Sequence, residues 1–158
     1  MVSRWHLLHL PVTLYGKAGH WGWVEDIVIR WPEGVIDGFG VRTAISRFYI
    51  PAEPEVVSVT LMEIQLRRRS YALKRPRSWW KTLHAQKLVM NRPVWRDNGD
   101  LVGRIKDLII DENSLAVHQI VISRGLLEDL LHGALLVPTH EIREDADGKI
   151  KIFSNRAI

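Results

Sequence analysis

The chain carries one short pattern twice, and this constrains its fold more than any other feature. Gly22-Trp23-Val24-Glu25-Asp26-Ile27-Val28-Ile29 returns as Gly103-Arg104-Ile105-Lys106-Asp107-Leu108-Ile109-Ile110. Gly and Asp keep their spacing, and apolar residues fall at matched places. Upstream, Pro11-Val12 matches Pro93-Val94. Downstream, Val59-Thr60-Leu61-Met62-Glu63-Ile64 is set against Val137-Pro138-Thr139-His140-Glu141-Ile142. The three matches keep their order, offset by 82, 81 and 78 residues. A sequence that repeats its pattern in order predicts two copies of one small unit.

Each copy spans about 70 residues, small enough to be marginally stable alone. Side-by-side packing of the copies is therefore expected to matter. The chain has no cysteine, which removes disulfides, thiolate nucleophiles and thiolate metal ligands and fits a reducing compartment. No apolar run approaches the ~20 residues needed to span a bilayer. The segment Met1 to Leu10 lacks the apolar core and cleavage site of a signal peptide. The expected location is cytoplasmic, with peripheral membrane contact left open.

The local patterns are β-rich. Val24 to Arg30, Val35 to Ile45 and Phe48 to Ile50 read as strands, with Pro32-Glu33-Gly34 as a turn and Pro51-Ala52-Glu53-Pro54 as a break. Val56 to Leu66 resumes a strand-like alternation. Leu88 to Trp95 leads into Asn98-Gly99, the strongest short-range hairpin signal. Leu101 to Ile110, Leu115 to Ser123, Leu135 to Val137, Glu141 to Arg143 and Lys149 to Phe153 complete a second series. Within Gly125 to Gly133, the leucines at 126, 127, 130 and 131 are spaced for a short helix. Many short strands between polar turns indicate small barrels or sandwiches.

Charge is unevenly placed. Net charge is +4, yet Ile64 to Arg96 holds ten Lys or Arg and no Asp or Glu. The remaining residues carry 12 basic and 18 acidic side chains. Arg67 to Lys87 reads as a basic linker or exposed arm, with Ser78 as the expected cap of a short helix through Trp79, Trp80, Leu83 and His84. The expected architecture is mainly β: a first barrel over 1–66, a basic, partly helical linker over 67–87, and a second barrel over 88–158.

The motifs resemble the PRC-barrel family. The shared pattern is a Pro-Val strand, a polar turn, a Gly-x-x-x-Asp strand, a third strand, and an apolar strand before a Glu-Ile step. Val94 to Ile152 carries it through Asn98-Gly99, Val102-Gly103-Arg104-Ile105-Lys106-Asp107 and Leu136-Val137-Pro138. Val12 to Leu66 carries a weaker version, without the Asn-Gly turn and with Thr60 set against Pro138. Similar family members include the cytoplasmic domain of photosynthetic reaction-centre H subunits and a ribosome-maturation factor. The resemblance implies a protein-binding barrel without a shared active site.

Motifs for catalysis are lacking. Asp26 and Asp107 have no neighbouring His or second acid at a recognised spacing, so hydrogen bonds that hold the backbone are expected of them. Gly22 and Gly103 are expected where a small barrel bends or closes. The seven histidines form no His-Glu-x-x-His or comparable cluster, and no phosphate-binding loop or dinucleotide fingerprint occurs. No catalytic residue, metal, cofactor or small-molecule substrate is expected. The functional candidates are the cations Arg67, Arg68, Arg69, Lys74, Arg75, Arg77 and Lys81, an anionic-surface site, with Trp79 and Trp80 as aromatic contacts. Such a run attracts phosphate-rich or acidic partners. The tryptophans fit base stacking, a lipid headgroup layer, or docking of the segment onto a barrel. The leading expectation is a non-enzymatic adaptor for a protein or larger assembly. The alternatives are an RNA- or ribosome-associated factor, and a peripheral protein of a photosynthetic or envelope membrane complex.

Overall fold

Short apolar alternations cut by Gly, Pro and Asp leave little room for helix, and strands dominate. The computed structural model describes residues 1–31, 33–86 and 89–153, without the side chains at 83–86. Pro32 of the first turn, the side chains of Leu83 and His84, Lys87 of the basic run, Leu88 at the expected strand start, and 154–158 lie outside the described residues.

The chain opens with β1 (Val2–Ser3) and α1 (Arg4–Leu7). The first series is β2 (Pro11–Leu14), β3 (His20–Arg30), β4 (Val35–Arg42), β5 (Arg47–Pro51), β6 (Val57–Val59) and β7 (Ile64–Leu66). A 3-10 turn at Arg69–Tyr71 and α2 (Arg77–Gln86) follow. The second series is β8 (Pro93–Arg96), β9 (Leu101–Ile110), β10 (Val117–Ser123), α3 (Leu126–His132), β11 (Leu135–Pro138), β12 (Ile142–Glu144) and β13 (Ile150–Ile152).

Two curled half-barrel sheets result. The first runs β5-β4-β3-β2-β7-β6 and the second β11-β10-β9-β8-β13-β12, with β1 added to β9. The order is the same, strand for strand. Each sheet contains one parallel pair at the matched place, β2 with β7 and β8 with β13. Val12 stands opposite Gly22 and Ile64, and Val94 opposite Gly103 and Ile150. Gly22 and Gly103 are thus equivalent.

The equivalence reaches single hydrogen bonds. Each long strand bulges just before its Asp: Glu25 has no partner between the Val24–Val41 and Asp26–Gly40 pairs, and Lys106 has none between Ile105–Ile122 and Asp107–Val121. An extra residue bends a strand and increases its twist. Asp26 Oδ1 accepts from the Ile27 N–H at 3.0 Å, and Asp107 Oδ1 from the Leu108 N–H at 2.8 Å. The carboxylates therefore hold the backbone at the bulge, and Asp107 also accepts from the Trp5 N–H. Upstream, His9 and Asn91 both have positive φ, and their N–H groups donate to Val24 and Ile105 at 2.8 Å.

The strand registers correct the third sequence match. Ile50 pairs with Phe39 and Pro51 with Gly38, as Val137 pairs with Ile120 and Pro138 with Gln119. Ile50-Pro51, not Val59-Thr60, is the counterpart of Val137-Pro138. The insertion of α3 between β10 and β11 shifted the spacing and hid the match. Other boundaries also move. Val56 to Leu66 is two strands around a Thr60 turn, whose hydroxyl accepts from Met62 and Glu63. Ser78 lies inside α2 and does not cap it; the Pro76 carbonyl accepts from the Trp79 and Trp80 N–H groups instead.

The core is one continuous cluster drawn from both sheets, including Leu7, Val12, Phe39, Ile64 and Leu66 with Val94, Leu108, Ile120 and Ile150. The β3–β4 and β9–β10 tips also meet. Val35 bridges Ala116, the Ile36 N–H donates to Leu115 at 2.8 Å, and the Val117 N–H donates to Gly34 at 2.7 Å. The residues bonded here are themselves equivalent in the repeat. Reciprocal bonds between like positions are the signature of a two-fold relation, here within one chain.

A Cβ at Gly22 would lie 2.6 Å from the Arg42 carbonyl, and one at Gly103 would collide with the Ser123 carbonyl. Backbone cannot yield as a flexible side chain can. We expect Gly103→Ala to destabilise the protein by about 2 kcal/mol, an overpacking cost, with Gly22→Ala smaller but of the same sign. Chemical denaturation measures both.

Candidate functional site: a basic face on the first sheet

The basic segment is tied to the first unit at two points, on either side of a short turn. Arg67 Nε donates to the Pro54 carbonyl at 2.8 Å, just beyond β7. Arg69–Tyr71 forms the 3-10 turn. Leu73 then pairs with the edge strand β5 through two reciprocal bonds with Tyr49, both 2.8 Å. Edge strands present unpaired backbone groups, and Leu73 satisfies those at Tyr49.

α2 is held by its aromatic pair. Trp80 is 5% exposed and forms a buried cluster with Val28 and Tyr49, backed by Leu73 and Trp79. Trp79 meets Tyr49 and Trp80 edge-on, each at 5.0 Å between ring centroids. Two glycines make the seat. A Cβ at Gly40 would lie 3.1 Å from the Trp80 ring, and one at Gly38 would enter the Tyr49 ring. Gln119 and Val121 occupy these positions in β10, so the second sheet offers no such floor.

Tyr49 is fixed as well. Its hydroxyl donates to the Asp37 carbonyl at 3.0 Å. Burial, then the nearby Asp37 carboxylate, pushes the phenol well above its ordinary range. Asp37 in turn pairs with Arg30 at 2.6 Å.

Cations lie over this aromatic seat and over a second ring pair, Trp21 with Phe48. The Arg47 guanidinium lies 5.3 Å from the Trp80 ring centroid, Arg75 5.6 Å from Trp79, Lys74 5.9 Å from Phe48 and Arg69 5.9 Å from Trp21. Such stacking holds a cation loosely while its outward N–H groups stay available. Arg67, Arg68, Arg69, Lys74, Arg75, Arg77 and Lys81 are all exposed. Arg47 differs because it pairs with Glu25 at 2.9 Å, and Glu25 also takes Arg42 at 3.0 Å.

The structure thus gathers the sequence candidates around one sheet and gives the tryptophans unequal positions. Trp80 is enclosed, and Trp79 is half-buried. Sequence reading missed Gly38, Gly40, Tyr49 and Leu73. Gly-x-Gly in β4 was the available signal, because two glycines on one face of a strand invite a close neighbour. Among the described residues, no three His, Asp or Glu side chains are grouped to hold a metal ion. No described helix is long and apolar enough to cross a membrane.

No family model matches the chain, and no curated protein matches it either.

We expect Trp80→Ala to cost about 3 kcal/mol, in the range for removing a large buried aromatic, and to release α2. Gly40→Val should release α2 by filling its seat. Denaturation midpoints measure both effects. Unchanged stability in both variants would mean that α2 is not held by this cluster.

Proposed function

We propose that the protein is a non-enzymatic adaptor built from two PRC-barrel-like units. Their extents are about 1–66 and 88–158, with 67–87 as the connecting basic segment. It binds an acidic or phosphate-bearing assembly through the basic face of the first unit. The observation that carries this reading is the seating of the segment: of its seven exposed cations, Arg69, Lys74 and Arg75 lie over aromatic rings and Arg67 holds the Pro54 carbonyl, with no carboxylate between Ile64 and Gln86. A free arm would lose conformational entropy when its charges met a partner. A seated segment has already incurred most of that loss in folding, so it presents its charge in a fixed pattern.

Charge complementarity of this kind favours encounter rate and partner choice. The burial of Trp80 favours recognition by charge over recognition by stacked bases, so a protein or ribonucleoprotein surface fits better than single-stranded RNA alone. The RNA-associated reading is retained through Trp79, whose half-exposed ring could take one base. A cytoplasmic setting, without cofactor or small-molecule substrate, belongs to the same proposal.

The test replaces Arg68, Arg69, Arg75 and Arg77 by Ser and keeps Arg67, whose Nε holds the Pro54 carbonyl. Folding should change little, because exposed charges contribute little to stability. Binding to heparin, used as a soluble polyanion, should weaken at least tenfold. On single-stranded RNA the salt dependence should fall by up to about 3 in log-log slope, following counterion release. Heparin affinity and slope equal to the parent's would refute the proposed role of this face.

A further inference from the structure

α3 is the one described helix whose apolar side chains all point away from the protein. Leu126, Leu127, Leu130 and Leu131 are 80%, 71%, 75% and 66% exposed. Positions i, i+1, i+4 and i+5 form one stripe on a helix. The opposite side carries Glu128, Asp129 and His132.

This outward display is built and firmly held. Asp129 Oδ2 accepts from the Ser123 hydroxyl at 2.5 Å, and Oδ1 from the Arg124 N–H at 3.1 Å. The Arg124 guanidinium donates to the Gly133 carbonyl at 3.0 Å. The polar side of α3 is thus tied to its own hairpin, which fixes the leucines outward. The Ser123 hydroxyl and the Arg124 N–H, with the charges of Lys106 and Arg124 adding to them, hold the Asp129 carboxyl below its ordinary range, so it stays charged and offsets part of the positive charge of those two residues.

Beside α3 lies an open groove of about 510 Å³, lined by Leu101, Arg104, Lys106, Arg124 and Gly125 among others. Arg104 and Arg124 donate to carbonyls, at Asn91 and Gly133, so these contacts do not neutralise their charge. Lys106 is the exposed residue of the bulge.

We infer that α3 and this cationic groove form a docking surface for an anionic lipid bilayer, with the leucines among the acyl chains and Arg104, Lys106 and Arg124 at the headgroups. Two observations select this occupant over a second copy of the chain. Four largely exposed leucines offer roughly 500 Å² of apolar surface, short of the ~800 Å² per partner of a stable protein interface. A two-fold pairing of α3 with itself would also bring the cationic grooves towards each other. A bilayer needs only a few apolar side chains at its boundary, supplemented by attraction to anionic headgroups. The surface is separate from the basic face of the first sheet, so an adaptor of this design would join a membrane to a second anionic partner.

The test is sedimentation with vesicles of 30% phosphatidylglycerol in phosphatidylcholine, using the full chain. Leu126, Leu127, Leu130 and Leu131 are replaced by Gln, and a milder Leu127→Gln, Leu131→Gln variant guards against misfolding. Circular dichroism should match the parent, and heparin binding by the basic face should be unchanged. The fourfold variant should lose at least tenfold in vesicle affinity and the double variant at least threefold. Arg104→Gln with Lys106→Gln should lower affinity and its salt dependence. Parent-like vesicle binding by the folded leucine variants would overturn the inference. So would a parent dimer in analytical ultracentrifugation that the leucine substitutions dissociate. Loss of heparin binding with vesicle binding kept in the arginine-to-serine protein would separate this inference from the adaptor reading.

Discussion

The bend in the two long strands is the constraint on which the architecture depends. β3 and β9 each serve two neighbouring strands on different stretches of their length, and each must turn between them. A glycine allows the close backbone approach, a bulged residue supplies the bend, and an aspartate accepts the N–H that follows. All three recur at matched positions. With the bend in place, the flanking strands form a half-barrel, and the concave faces share one apolar core. The bulged residue itself is free to vary. It is Glu25 in one copy, where it gathers Arg42 and Arg47, and Lys106 in the other, where it faces a groove.

The functional asymmetry comes from what each copy adds to this shared frame. In the first, Gly38 and Gly40 leave β4 flat enough for Tyr49 and Trp80 to lie against it, and the basic segment is drawn over the sheet. In the second, Gln119 and Val121 close that option, and an insertion between β10 and β11 raises α3 with its leucines exposed. Each addition is stabilised by polar bonds that leave its exposed chemistry facing solvent: Leu73 with Tyr49 in one, Asp129 with Ser123 and Arg124 in the other. Side-chain chemistry added to a repeated scaffold is a common way for one fold to gain separate binding surfaces.

The duplication was legible because bends require particular residues. Only glycine fits beside the Arg42 and Ser123 carbonyls, so the Gly-x-x-x-Asp spacing survived in both copies. The Ile50-Pro51 counterpart of Val137-Pro138 was not legible, because loops set sequence spacing while strand pairing sets equivalence. The concentration of charge was visible in composition, but its seating was not. Whether Trp80 faces solvent or Val28 depends on Gly40, which stands forty residues earlier and becomes a neighbour only through folding. The helical spacing of 126 to 131 was readable, whereas the direction of its apolar stripe was decided by the bonds of Asp129 on the opposite side.

The central claim is that the basic segment is a fixed face of the first sheet. Amide hydrogen exchange on the full chain tests it most directly. The account predicts that the Leu73 amide and the amides of Trp79 to Lys81 exchange slowly, with protection approaching that of β4 and β5, to which they are joined through Tyr49. Exchange of these amides at the rate of an unstructured peptide, with β4 and β5 still protected, would contradict it.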